Sequence, residues 1–146
     1  MTTVQDILKS KGSAVATVSR DETVLAAAQL MNEQRIGSVV VTDRDGSVCG
    51  IFTERDILTR IVAAQRDPAH TAVGEVMTAP VTCCHPDTPL EECRRVMSGN
   101  RIRRLPVAGA DGRLVGIVTS GDLLAHQLRQ QEQTIEHLNQ YIFEYK

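Results

Sequence analysis

Residues 15–58 fall on residues 81–124 without a gap when the chain is slid along itself by 66 positions. Thirteen of these 44 aligned positions are identical: Val15, Asp21, Met31, Arg35, Ile36, Val41, Asp45, Gly46, Gly50, Ile51, Thr53, Asp56 and Leu58. Chance gives about three at ordinary residue frequencies. Many of the differences keep apolar character, as in Val39/Leu105, Val48/Leu114 and Ile57/Leu123. The chain is therefore a duplicated unit, and its fold must be one that two copies of a small unit complete together.

Each copy reads in the same order. Residues 24–34 and 90–100 carry apolar side chains at helical spacing. Strands follow at 37–42 and 103–108, and again at 48–52 and 114–118, with Asp45-Gly46 and Asp111-Gly112 between them. An Asp-Gly pair between two apolar runs is a hairpin signal. A second helix then starts at Thr53 or Thr119, and short β segments lie near 15–18 and 81–84. Residues 65–71 are polar, carry Asp67-Pro68 and read as the link between copies. The expected fold class is α/β (α+β), with two repeats packed sheet to sheet about a pseudo-twofold axis. The expected division is 1–66, 67–126 and a C-terminal helix at 127–146. Clefts between two such copies are where small ligands bind.

Composition narrows the function. With 42% hydrophobic and 23% charged residues the chain is globular, and 3% aromatic content makes its core aliphatic. A formal net charge of −2 gives no global positive field for nucleic acid or an anionic membrane. No apolar run approaches the ~20 residues that span a bilayer, and residues 1–11 lack the apolar stretch of a signal peptide. The expected location is the cytoplasm. Cys49, Cys83, Cys84 and Cys93 form no C-x-x-C, and the four histidines show no metal spacing. No Walker or G-x-G-x-x-G loop occurs, and no catalytic cluster is visible.

The candidate chemistry sits at two places. Gly50-Ile51-Phe52-Thr53-Glu54-Arg55-Asp56 and Gly116-Ile117-Val118-Thr119-Ser120-Gly121-Asp122 each run from strand into helix. Thr-x-x-Asp before an apolar helix is a capping box and needs no ligand. The same helix start can hold a phosphate, and the Asp can accept bonds from a ribose diol. The second place is Asn100-Arg101-Ile102-Arg103-Arg104-Leu105-Pro106-Val107. Arginine's planar fork suits phosphate, although charge runs are often only solvated. Gly37 and Ser38 stand where the second copy has Arg103 and Arg104. Beyond Asp122, Leu124, Leu128, Ile135, Leu138, Ile142 and Tyr145 make an apolar stripe that needs a partner surface.

These motifs resemble the cystathionine β-synthase (CBS) domain, and the pair resembles a Bateman module of the small stand-alone bacterial type. The resemblance runs from about Val4 to the end of the second repeat. It implies binding of an adenine derivative — AMP, ADP, ATP, S-adenosylmethionine or NAD — as a regulatory ligand. No cofactor is required, and no catalysis is implied. Asp56 and Asp122 would hold ribose, Thr53 and Thr119 ribose or phosphate, and Arg101, Arg103 and Arg104 phosphate. Arg55 could substitute in the first copy. Backbone at Val15–Thr17, Val81–Cys83 and Ile36–Ser38 would pack on adenine. The resemblance also implies a homodimer and a regulated protein that the sequence does not identify. The competing reading is an interaction or dimerisation module whose clefts are vestigial.

Overall fold

The duplicated pattern produces duplicated elements in the computed structural model, which describes residues 2–131. The first half contains α1 (Val4–Lys11), β1 (Thr17–Ser19), α2 (Val24–Gln34), β2 (Ser38–Thr42), β3 (Val48–Thr53) and α3 (Glu54–Asp56). A π-helical stretch, Ile57–Val62, continues α3, and a 3-10 turn covers Pro68–His70 within the expected link. The second half contains α4 (Val73–Val76), α5 (Leu90–Asn100), β4 (Arg104–Ala108), β5 (Leu114–Thr119) and α6 (Ser120–Gln130). α2 and α5 match the expected helices end to end. Both stop at an arginine in the left-handed region, Arg35 and Arg101, at φ 56° and 55°. α6 crosses residue 127 without a break, and the stripe positions Ile135, Leu138, Ile142 and Tyr145 lie outside the described residues.

β1, β2 and β3 form one sheet, with β1 parallel to β2 and β2 antiparallel to β3. β4 and β5 form the other, an antiparallel pair. Both hairpins slip register at the same repeat position, between Val41 and Thr42 and between Val107 and Ala108. Gly46 and Gly112 turn the hairpins at φ +86° and +83°, a region that glycine enters without a Cβ clash. The two turns then meet each other: Val48 N donates to Gly112 O and Leu114 N to Gly46 O, both at 3.2 Å. These reciprocal bonds lie about the pseudo-twofold axis. In place of a β segment at 81–84 only Cys84 bridges, in parallel, to Val107. Pro80 and Pro86 flank that stretch and offer no N–H for a longer ladder.

The halves exchange their leading helices. α1 buries Val4, Ile7 and Leu8 in the core of the second repeat, with Leu90, Cys93, Leu105 and Val118. α4 buries Val73 and Val76 in the core of the first repeat, with Val24, Met31, Val41 and Phe52. The entering chain also starts the receiving helix. Val24 N donates to Thr71 O at 2.9 Å, and Leu90 N to Thr2 O at 3.1 Å. The repeat glycines admit the exchanged helices at close range. A Cβ on Gly50 would lie 2.5 Å from Met77 Sδ and 3.0 Å from Thr78 O, and one on Gly116 would lie 2.7 Å from Leu8 Cδ2.

Candidate functional site

Both Thr-x-x-Asp motifs form complete capping boxes. Thr53 accepts from Asp56 N at 3.2 Å, and Asp56 Oδ2 accepts from Thr53 N at 3.0 Å. Thr119 accepts from Asp122 N at 3.1 Å, and Asp122 Oδ2 accepts from Thr119 N at 2.8 Å. Two orphan N–H groups at each helix start are thereby satisfied reciprocally. The boxes hold both threonines at one place, the wall of a cavity of about 650 Å³ between the repeats.

That cavity is lined by Gly37, Ser38, Ile51 and Thr53 from the first repeat. Thr78, Pro80, Val81 and Thr82 come from the segment entering the second. Ile102, Arg103, Arg104, Thr119, Ser120 and Gly121 complete it. Its volume lies in the range of small-molecule sites. Arg103 is exposed at the rim, and Arg104 is half-buried and donates to Ser38 Oγ across the repeat boundary. Ser120 and Gly121 bring the first turn of α6 to the wall, where the helix dipole favours an anion.

A smaller cavity of about 270 Å³ is the repeat-related counterpart. Val15, Ala16, Ile36 and Ser38 stand in it where the larger has Val81, Thr82, Ile102 and Arg104, and Thr119 replaces Thr53. Arg104 reaches both cavities.

The aspartates differ in their surroundings. Asp56 is 5% exposed and accepts from Thr78 Oγ1 at 3.0 and 3.2 Å, with Arg60 Nε 3.7 Å away. Arg60 Nη1 also donates to Val76 O and Met77 O, closing the end of α4. Asp122 instead pairs with Lys11 Nζ at 2.7 Å. Burial raises the Asp122 carboxyl, but the Lys11 ammonium and the Thr119 donors outweigh it and hold it below the ordinary carboxylate value.

The expected site residues separate by place. Gly37, Ser38, Thr53, Val81, Arg103, Arg104 and Thr119 line the large cavity. Val15 and Ile36 line the small one with Ser38, Arg104 and Thr119. Asp56, Asp122, Arg55 and Thr17 line neither; the two carboxylates sit behind the wall, in the first helical turns. Arg101 lines a separate groove between α5 and α6 with Arg94 and Arg103. Cys83 lines a small pocket with Cys84 and Cys93. Sequence reading missed Thr78, Pro80 and Lys11. Thr78 and Lys11 have partners 22 and 111 residues away, a relation no local pattern carries. Among the described residues no group of three His, Cys, Asp or Glu side chains is arranged to hold a metal ion. No helix among them is long and apolar enough to cross a membrane.

Comparison with known proteins agrees with this architecture. The family model described as CBS domain matches residues 3–63 and again 73–129. The CBS domain-containing protein YhcV of Bacillus subtilis is 38% identical over 128 residues, covering 88% of this chain and 87% of that protein. The crystal structure of CBSX2 in complex with AMP superposes with a TM-score of 0.75 at 25% identity, covering 90% of this chain and 99% of that one. The CBS domain pair of protein MJ0100, in complex with 5′-methylthioadenosine and S-adenosyl-L-methionine, gives 0.74 at 27%, covering 90% and 98%. With its duplicated hairpin unit and its two matched segments, the chain belongs to the CBS domain family and carries the domain twice.

Proposed function

We propose that the chain is a non-catalytic regulatory module that senses an adenine nucleotide or adenine-containing cofactor in the 650 Å³ cavity. One observation carries the reading. Arg103, Arg104 and the first turn of α6 offer positive potential at one part of the wall, and Ile51, Val81 and Ile102 offer an apolar surface beside it. A nucleoside phosphate needs both. Its phosphate replaces Ser38 as the partner of Arg104, its base packs on the apolar residues, and its ribose meets Thr53 with Asp56 behind it. Solved relatives that hold AMP or S-adenosylmethionine support the class of ligand.

AMP, ADP, ATP, NAD and S-adenosylmethionine are the ligands to compare, with guanine and cytosine nucleotides as controls. At a hundredfold excess over Kd, binding adds about 2.7 kcal/mol, which for a chain of this size raises Tm by about 5–10 °C. No shift with any adenine compound overturns the reading in favour of an interaction module with vestigial clefts. That alternative has its own support, since both aspartates already have partners within the chain.

The module is further read as a cytoplasmic homodimer acting on a separate protein. Leu58 and Leu124 occupy equivalent repeat positions and are 62% and 56% exposed, and Val62 extends the first of these faces. Such a pair of related apolar faces suits a closed twofold interface. Light scattering on the full chain and on Leu58→Asp/Leu124→Asp tests it: the native chain is a dimer and the variant a monomer. A monomeric native chain at micromolar concentration overturns it.

A further inference from the structure

The second repeat carries Cys83, Cys84 and Cys93 where the first has Thr17, Val18 and Ala27. The three cysteines line one pocket of about 140 Å³, together with His85, Glu92 and Leu105. Cys84 lies on the segment that bridges to Val107, and Cys93 is near the start of α5. Both belong to the core of the second repeat, at 7% and 1% exposure. Val18 and Ala27 are buried in the same way in the core of the first. The fold thus fills these two facing positions once without sulfur, so packing alone does not call for thiols. The Cys84 thiol lies within hydrogen-bonding reach of the Cys93 sulfur. The bond it donates holds Cys93 below the ordinary thiol value, against burial and the Glu92 carboxylate. The same bond, with burial, pushes Cys84 up. Thiolate character is what makes a cysteine reactive.

We infer that Cys84 and Cys93 form a redox site, which a peroxide closes into a disulfide between α5 and the segment that pairs with β4. The pocket gives a molecule little larger than water a place beside both sulfurs. The Cys93 sulfur attacks one peroxide oxygen and the O–O bond breaks. The other oxygen leaves as hydroxide and takes the thiol proton to become water. The Cys84 sulfur then attacks the sulfur of the Cys93 sulfenic acid. An S–S bond forms, the S–O bond breaks, and the departing hydroxide takes the Cys84 proton as a second water. Two thiols and one peroxide give one disulfide and two waters. Cys83 is a poor third member, because adjacent residues are badly placed for an ordinary disulfide and burial pushes its thiol up. Reversible disulfides of this kind serve redox sensing where the surroundings are reducing. Nothing in this chemistry depends on a nucleotide.

Thiol counting and peptide mapping of the full chain, before and after hydrogen peroxide at neutral pH, test this. The reduced chain has four free thiols, at Cys49, Cys83, Cys84 and Cys93. The treated chain keeps those of Cys49 and Cys83, and dithiothreitol restores the others. Cleavage after Glu91 and Glu92 puts Cys84 and Cys93 on separate peptides, so that their link shows as a joined pair. Cys83→Ser, at an exposed position, still closes and assigns the link to Cys84. Cys84→Val and Cys93→Ala bring in the residues of the first repeat, and neither closes. A thermal melt checks that both fold; the native chain and Cys83→Ser decide the matter even where they do not. Four thiols surviving peroxide in the native chain overturn the inference. So does a link through Cys49 or Cys83, a Cys83→Ser chain that fails to close, or Cys93 carried on to sulfinic acid with no link formed.

Discussion

Where the second repeat presents Arg103, Arg104 and Ser120, the first presents Gly37, Ser38 and Glu54. The residues the repeats share tell a different story. Gly50 and Gly116 let an exchanged helix approach, Thr53 with Asp56 and Thr119 with Asp122 cap helices, and Gly46 and Gly112 turn hairpins. Every one of these has a complete structural reason. The identity that reveals the duplication is thus mostly the grammar of the fold, and the arginines of the proposed phosphate site lie where the copies part. The large cavity carries Arg103 and Arg104, while the small one has only Arg104.

The largest effect is expected at the exchanged helices. Ile7 is 3% exposed in the second core and Val76 2% exposed in the first. Ile7→Ala costs about 2–5 kcal/mol, the range for large-to-small changes in a packed core. Val76→Ala costs less because it removes less. Urea titration of both variants measures this. If Ile7→Ala leaves the midpoint unchanged, α1 is not part of the second core and the exchange is wrong.

Next come the glycines. Gly50→Ala places a methyl against the Thr78 carbonyl, which accepts from Ile51 N at 3.0 Å while Thr78 N donates back to Ile51 O at 2.8 Å. Gly116→Ala meets only the far end of the Leu8 side chain, which can rotate. Overpacking costs about 1–3 kcal/mol, so Gly50→Ala lies at the upper end and Gly116→Ala at the lower. Thermal melts of the two variants rank them. The opposite order would show that Leu8 yields less than the Thr78 backbone does.

The arginines act on affinity rather than on folding, and their signature is sharper. Arg104→Ala removes charge-assisted bonds worth about 1.5–3 kcal/mol, a loss of roughly 10–100-fold in affinity for AMP. Adenosine, which has no phosphate, loses little. Calorimetry with both ligands decides it, and equal losses would remove phosphate recognition from Arg104.

How much of this was legible follows from the range of each interaction. α2 and α5 each carry eleven residues of helical pattern, and the Asp-Gly turns fix the hairpins, so both repeats could be drawn from local sequence. α1 and α4 could not. Leu8 and Met77 do equivalent work against Gly116 and Gly50 but lie 69 residues apart, three more than the repeat offset. They therefore fall outside the gap-free alignment, and α4 has only four residues in which to show a period. The wall residues Thr53, Arg103, Arg104 and Thr119 were readable as types in a pattern. The Lys11–Asp122 pair was not, because it joins residues nearly the whole chain apart. The motif showed the capping role of its aspartates but not that they line neither cavity, since the walls are assembled from segments far apart in the chain.

The Lys11–Asp122 pair offers the finest comparison between the halves, through pH. In the folded chain the Asp122 carboxyl is held below its ordinary value despite partial burial. In the unfolded chain it returns to about 3.9. A depressed folded value means that the unfolded state binds the proton first as pH falls. The stabilisation is therefore complete above about pH 5 and is lost as pH drops through the folded value. Asp122→Asn removes the ion pair and weakens the capping box, a loss of about 0.5–2 kcal/mol at neutral pH by analogy with other caps. Because Asn does not titrate, the stability gap between native and variant chains should narrow as pH falls from 6 to 3. Urea titrations at four pH values across that window measure the gap directly. Lys11→Met should show the same narrowing with a smaller gap, since the capping bonds to Thr119 remain. A gap that stays constant with pH would mean that the carboxylate charge contributes nothing, and that Asp122 serves its helix through hydrogen bonds alone.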